Sequence, residues 1–487
     1  MTKPPVREDS LPRRYLFKLV TNIISSLARF AHVFFVPRAL GPAGYGSFNF
    51  LVNFFTQIAS FLEAGSSIAF FTKLSSGRSE KRIIPVYFRF AVLLFSTLLL
   101  FTAAARLTGM NRFLWPGESM PAVLLGLIMA FSVWLIQVLF KLTDAVALTV
   151  PAEKIRMAIR VGAAFLIAGC FFAGLLTLTS YFILETTVGL LIVLALTVLC
   201  LQKGVFRGND LMKRIPAPLF SRYSSFFFEY CSPLFVYNTI TILLALADTW
   251  LLQQFGGRAE QGYYGLSYQI STVCFFFSGA MTPLLIRETA KAHASGDKAR
   301  IRKLFLLSIP SLYAVAAALS MFVAVQPEKF LYFLGGKEFS HALPAVIIMA
   351  LYPIHQTFGQ LNGALYYATG RTALYRNIGI AAALAGLPLS WFLLTPPRAW
   401  GLDLGATGLA LKVVIVQFIA VNTLLFFNTR FLGIPFAGMF FRQTLAPAAF
   451  GLSALASSAI MSRLLPFNLH PLLNLLLCGL LHTGTVA

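Results

Sequence analysis

The chain is 487 residues long, with 58% apolar and only 11% charged residues, where ordinary soluble domains carry about 25% charged. No globular core can hide that much apolar surface, which excludes a soluble enzyme or binding module. The net charge of +22 invites a nucleic-acid reading that the placement of the basic residues then removes.

Apolar stretches separated by short polar ones recur down the whole chain, each long enough for the ~20 residues that cross a ~30 Å hydrocarbon core. Only helices and closed barrels satisfy their backbone in lipid. The pattern predicts fourteen helical spans at 15–37, 47–72, 86–107, 120–148, 156–177, 179–201, 223–252, 262–287, 304–326, 342–369, 373–395, 406–428, 435–462 and 468–487. The expected fold class is therefore an all-α polytopic membrane protein. The polar first fourteen residues lead into a span containing Asn22, Arg29 and His32, unlike a cleaved leader, so this span is expected to remain as an anchor.

With the amino terminus assigned to the cytoplasm, the tail, the loops after even-numbered spans and the span ends adjoining them hold 27 of the 39 Lys and Arg. Eight lie on the other side, and Arg29, Arg89, Lys141 and Lys412 lie inside spans. This is the positive-inside bias. Its densest clusters run from Lys203 to Arg222 and from Arg287 to Lys303. Topology and contact with anionic headgroups account for them, and no nucleic-acid partner is needed. The five cysteines all fall within spans, at no metal-ligand spacing, and read as packing residues. No metal or other cofactor is expected.

Two Gly-rich turns recur six spans apart. Gly41-Pro42-Ala43-Gly44-Tyr45-Gly46 precedes the second span, and Gly256-Gly257-Arg258-Ala259-Glu260-Gln261-Gly262-Tyr263 opens the eighth. They suggest a parallel duplication: an amino-terminal lobe 1–201 with spans 1–6, a basic linker 202–222, a second lobe 223–430 with spans 7–12, and two extra helices in 431–487. The longest outer loops, near 106–119, 327–341 and 396–405, are short for an extramembrane active site. Gly335-Gly336-Lys337-Glu338 lacks the spacing of a phosphate cradle, and no His-Glu-x-x-His pair occurs. The chain is expected not to be an enzyme.

Leu40-Gly41-Pro42-Ala43-Gly44-Tyr45-Gly46 resembles the Leu-Gly-Pro-x-x-Tyr/Phe-Gly signature of bacterial polysaccharide flippases of the Wzx type. These belong to the MOP superfamily, which also holds the lipid II flippases and the multidrug and toxin extruders. Asp248 followed by Gly262-Tyr263-Tyr264, then Phe333-Leu334-Gly335-Gly336-Lys337-Glu338-Phe339, Ala368-Thr369-Gly370-Arg371-Thr372 and Gly405-Ala406-Thr407-Gly408-Leu409-Ala410 are similar to that family's later landmarks, in the same order. The resemblance covers about 15–430. It implies two six-helix lobes around a central cavity, as in MATE and MurJ proteins, in a monomer of the bacterial cytoplasmic membrane. It also implies an undecaprenyl-pyrophosphate-linked oligosaccharide as cargo, moved to the outer leaflet by alternating access for surface polysaccharide or O-antigen synthesis, with glycan polymerase and assembly proteins as candidate partners. A multidrug or cation antiporter of the same fold is the alternative, and a membrane glycan polymerase or ligase a more distant one.

Polar residues inside spans mark where such a cargo could lie, because they are costly in lipid. Span 1 carries Asn22, Ser25, Ser26, Arg29 and His32 at steps of three or four; span 2 carries Asn49, Asn53, Thr56, Gln57, Ser60, Glu63 and Ser67. Span 4 adds Gln137, Lys141 and Asp144, span 7 Asn238, Thr241 and Asp248, and span 10 His355, Gln356, Asn362 and Tyr366. A pyrophosphate needs cationic donors, which Arg29 and Lys141 offer. Glycan hydroxyls suit the amides Asn22, Asn53, Gln57, Gln137, Asn238, Gln356 and Asn362, with Tyr366 as an aromatic face. Asp144, Glu63 and Asp248 are candidates to couple transport to H+ or Na+. The bland counterparts are Lys141–Asp144 neutralisation on one helix face, Arg29 neutralised by Glu63 or Asp248, Arg89 reaching the headgroups, and amides that merely pack helices.

Overall fold

A computed structural model describes residues 11–76, 78–208, 216–464 and 471–486; the side chains of 11–29, 78–79, 233–234, 237, 275–281, 283–284, 464, 471–472, 476 and 485–486 lie outside the description. Among the described residues there are helices and no strands. The principal helices are α1 (Leu11–Glu63), α2 (Ser66–Ser75), α3 (Ile83–Leu107), α4 (Met120–Ala145), α5 (Thr149–Phe172), α6 (Leu178–Gln202), α7 (Ala217–Leu251), α8 (Gly257–Thr272) and α9 (Phe276–Ala294). They continue as α10 (Lys298–Val325), α11 (Pro327–Leu334), α12 (Leu343–Met349), α13 (Tyr352–Ala368), α14 (Thr372–Leu394), α15 (Gly405–Leu432), α16 (Phe436–Leu464) and α17 (Pro471–Val486). Each of the fourteen predicted spans falls on one or two of these. Nine helical stretches among the described residues are long and apolar enough to cross a membrane, or ten when the bent pair Phe30–Glu63 and Ser66–Ser75 counts as one. The chain is an all-α polytopic membrane protein.

Local chemistry sets the helix ends. Thr177 and Ser180 form a reciprocal capping box at the start of α6. The Asp297 carboxylate accepts the Arg300 N–H at 2.8 Å and starts α10, the helix that leaves the basic cluster. Within α1, Gly41 has φ 63° and ψ 177°, and at the start of α8 Gly257 has φ 80° and ψ −171°. This backbone region is nearly restricted to glycine. The two Gly-rich turns thus share a conformation as well as a sequence pattern, and each has a second glycine five residues on, Gly46 and Gly262.

Compactness divides the chain into two units, residues 1–40 with 47–250 and residues 41–46 with 251–487. In the first, Phe54, Phe55 and Trp115 form an aromatic knot with centroids 5.5–5.8 Å apart, and Phe50, Leu51 and Phe182 are fully buried. In the second, Ile301, Phe305, Ile309 and Tyr313 of α10 pack with Phe358, Leu361 and Leu365 of α13 and Val421 and Leu425 of α15. Lipid tails are as apolar as these side chains, so close packing and polar contacts between helices must hold the bundle together.

Candidate functional site

The polar groups inside the spans are the places to look for function, and in the first unit they gather at a break. Ala64 and Gly65 have φ of 53° and 83°, and the helix axis bends by 54° between α1 and α2. Glu63, the last residue before the break, accepts the Ser67 N–H at 2.8 Å and the Trp134 Nε1–H at 3.1 Å. Lys141 of α4 donates from Nζ to the Ser67 hydroxyl. The Ser66 hydroxyl meets that of Tyr87 at 3.1 Å, and the Tyr87 ring stacks on Phe70. Two of the predicted residues, Glu63 and Lys141, are therefore brought together through one serine, which gives its backbone to the anion and its hydroxyl to the cation. Asp144 lies one turn further along α4 and is half-buried.

Of the other predicted residues in this unit, Asn53 and Gln137 are exposed, while Gln57, Asn238 and Asp248 are half-buried. The side chains of Asn22 and Arg29 lie outside the described residues.

The three predicted residues of α13 differ in what they do. Gln356 accepts from Gln417 of α15 at 2.8 Å. Asn362 is fully buried; it donates to the Phe358 carbonyl at 2.9 Å and accepts from Asn428 at 3.1 Å. Asn428 in turn accepts from the Arg371 guanidinium at 2.8 Å, which stacks over Phe431 at 3.9 Å and over Tyr366 at 4.7 Å. The Tyr366 hydroxyl donates to the Leu424 carbonyl at 2.8 Å, and its side chain is fully buried. Asn362 and Tyr366 thus lock α13 to α15 and present no face to open space.

A second charged cluster in the first unit went unrecognised in the sequence. Glu185 of α6, 7% exposed, accepts from Arg160 of α5 at 3.1 Å and lies 3.4 Å from the His32 Nδ1. His32 also meets the Tyr181 hydroxyl at 3.3 Å. The available signal was a single acid within an otherwise apolar span, which by default needs a partner or a function.

The Gly-rich landmarks converge in the second unit. A Cβ on Gly46 would stand 1.7 Å from the Arg258 carbonyl oxygen, and one on Gly262 would stand 2.0 Å from that of Pro42. The two repeated turns therefore pack backbone to backbone. Tyr45 meets Phe339, which meets Tyr263. Glu338 reaches Gly41, and Glu260 accepts the Ala406 N–H at the start of α15. Acid at a helix start is favourable for the helix dipole. Among the described residues, no three His, Cys, Asp or Glu are placed to hold a metal ion.

No family model matches the sequence, and no curated protein matches it either. Solved structures do resemble it. One is a lipid II flippase, MurJ, in an inward closed conformation: 15% identical over 96% of this chain and 97% of that one, with a TM-score of 0.66. An inward-facing multidrug resistance MATE family transporter of the MOP superfamily is 14% identical over 84% and 94% of the two chains, with a TM-score of 0.60. A MOP superfamily transporter from Pyrococcus furiosus is 12% identical over 86% and 94%, with a TM-score of 0.50. At these identities the likeness is one of fold.

Proposed function

We propose that the chain is a flippase of the Wzx kind, which turns an undecaprenyl-pyrophosphate-linked oligosaccharide from the cytoplasmic to the outer leaflet by alternating access. The observation that carries this reading is a lysine ammonium held inside a span at a broken helix, where Lys141 donates to Ser67. A cation in that position suits a phosphorylated headgroup: Lys141 is half-buried and meets Glu63 through Ser67, and an ammonium has three donors, so it keeps hydrogen-bonding capacity for an anionic group. The chain shares its fold with a lipid II flippase over nearly its whole length, which supports a transporter of the flippase and extruder class. In this reading Lys141 and Arg29 meet the pyrophosphate, and Asn22, Asn53, Gln57, Gln137 and Asn238 meet the glycan. The isoprenoid tail stays in lipid. The protein is a monomer of the bacterial cytoplasmic membrane with its amino terminus inside, works without a catalytic step, and takes its drive from H+ or Na+ at Glu63, Asp144 or Asp248. One charge moved across 100 mV is worth about 2.3 kcal/mol, enough to bias a two-state carrier by more than tenfold.

The second reading, a multidrug antiporter, has equal support from fold likeness, and Glu63 would then receive a cationic cargo. Deletion in a host with a known surface glycan separates the two: lipid-linked precursor accumulating on the cytoplasmic face supports the flippase, and drug hypersensitivity with a normal glycan overturns it. Lys141→Ala and Arg29→Ala should each stop glycan export while the protein stays abundant in the membrane. Indifference of transport in vesicles to ion gradients and voltage would remove the coupling role of the acids.

A further inference from the structure

The joint between α10 and α12 contains a chamber unrelated to the polar centre at the break. After α10 ends at Val325, the chain makes the short helix α11, a turn at Gly335 and Gly336, and a tight helical turn Lys337–Ala342 before it re-enters the membrane as α12 and α13. α11 is amphipathic: Leu331 and Leu334 are buried, whereas Glu328 and Tyr332 are exposed. A short amphipathic helix bearing an exposed tyrosine between two spans belongs at the membrane–water interface. The 28 residues of α10 rise about 1.5 Å each, ample to cross ~30 Å of hydrocarbon. The joint therefore lies in the leaflet away from Lys298, Arg300 and Arg302, which begin that helix.

Beside α11 opens a cavity of about 580 Å³, within the size range of small-ligand sites. Its wall is mostly carbon, and its polar groups are Lys329, Lys337, Glu328, Ser340 and Tyr332. Two ammonium groups against one carboxylate leave one net positive charge. Lys329 is held in place by two neutral acceptors, the Gln326 side chain at 2.7 Å and Asn474 of α17 at 2.8 Å, so its position is fixed and its charge is not cancelled there. The next acid along, Glu338, is turned to Gly41 instead.

We propose that this chamber holds the headgroup of a monoanionic phospholipid of that leaflet. Lys329 and Lys337 clasp the phosphate, Ser340 and Tyr332 bond its oxygens, and Leu343 meets the ester end of the acyl chains. Glu328 limits the site to a single negative charge, which distinguishes a phosphodiester from the multiply charged pyrophosphate of the proposed cargo. The inference also gives the last helix a task, because Asn474 fixes the lysine.

The test is photolabelling of the full chain in phosphatidylcholine nanodiscs doped with photoreactive phosphatidylglycerol or, separately, photoreactive phosphatidylcholine, with peptide mapping. A lysine near an anionic headgroup is worth about 1 kcal/mol, or about fivefold. With one net positive charge at the site, the phosphatidylglycerol probe should therefore label 327–343 about fivefold more than the phosphatidylcholine probe. Lys329→Met with Lys337→Met should remove that preference while leaving labelling near Lys298 unchanged. Lys329→Arg with Lys337→Arg should keep it, and Asn474→Ala, distant from the headgroup, should reduce it severalfold in a normally folded protein. Equal labelling by the two probes, or a preference that survives in the folded double Met variant, overturns the proposal. So does abolition of labelling by millimolar inorganic phosphate, which would make the chamber a small-anion site.

Discussion

Replacing Glu63 with Gln tests the centre at the helix break, because the change keeps the shape and removes one acceptor along with the charge. The carboxylate takes two N–H donors on two oxygens, from Ser67 at 2.8 Å and Trp134 at 3.1 Å. A glutamine has one oxygen, so its amide N–H must face whichever donor is left. Hydrogen bonds to charged acceptors contribute about 1.5–3 kcal/mol and neutral ones about 0.5–1.5, while a stranded buried donor costs about 1–3. Membrane hydrogen bonds fall low in these ranges, with coupling energies averaging about 0.6 kcal/mol and reaching about 1.7. Glu63→Gln should thus destabilise by about 2–3 kcal/mol in a detergent unfolding titration. Glu63→Gln combined with Trp134→Phe should show a coupling of about 0.5–1.5 kcal/mol between the two sites. A coupling indistinguishable from zero would mean that the indole does not hold the carboxylate, and the account of the break would fail with it.

Gly262→Leu must push apart the two repeated turns, since even a Cβ there stands 2.0 Å from the Pro42 carbonyl oxygen; overpacking should cost about 1–3 kcal/mol or more, seen as a lower melting midpoint, whereas Gly438→Leu, which meets nothing, should not. Asn428→Ala removes one acceptor of Arg371 and the donor to the Asn362 oxygens together and should destabilise by about 3 kcal/mol, and Asn428→Asp, which keeps the acceptor but sets a carboxylate oxygen against those two oxygens, should restore only a minor part of the loss. Glu185→Leu leaves Arg160 without its carboxylate; because that guanidinium is 31% exposed, the loss should be about 2–3 kcal/mol rather than the 3–5 of a fully buried pair. Adding Arg160→Leu should bring stability back to within about 1 kcal/mol of the parent, and a double variant as unstable as the single one would refute the pairing.

These perturbations bear on how far a membrane protein's sequence discloses its site. The spans were legible because crossing lipid demands some twenty apolar residues in a row, a requirement local enough to read directly. The break in the second span was half legible: Ala64-Gly65-Ser66-Ser67 is the small, hydroxyl-bearing sequence at which helices kink. What it does, turning Glu63 back onto Ser67, depends on Trp134 and Lys141 some seventy residues away. Polar stripes were the least decisive signal, because a wet lumen and a helix-to-helix lock both call for amides and hydroxyls at steps of three and four. Asn53 and Asn362 look alike in the sequence, yet one is exposed and the other is completely enclosed by Phe358 and Asn428. The partner distinguishes them, and for Asn362 the partner is sixty-six residues away. Charges follow the same rule: Lys141 is conspicuous in mid-span with Asp144 one turn on, whereas Arg160, near a span's end, reads as topology, and only the fold sets Glu185 beside it. For the glycine turns the missing piece was that the repeat contacts itself. Gly46 and Gly262 are small because each is the other turn's contact surface. A substitution at either therefore acts on both copies, and the two glycines should change together or not at all, a coupling that a Gly46→Ala, Gly262→Ala double-mutant cycle would measure as a cost well short of the sum of the singles.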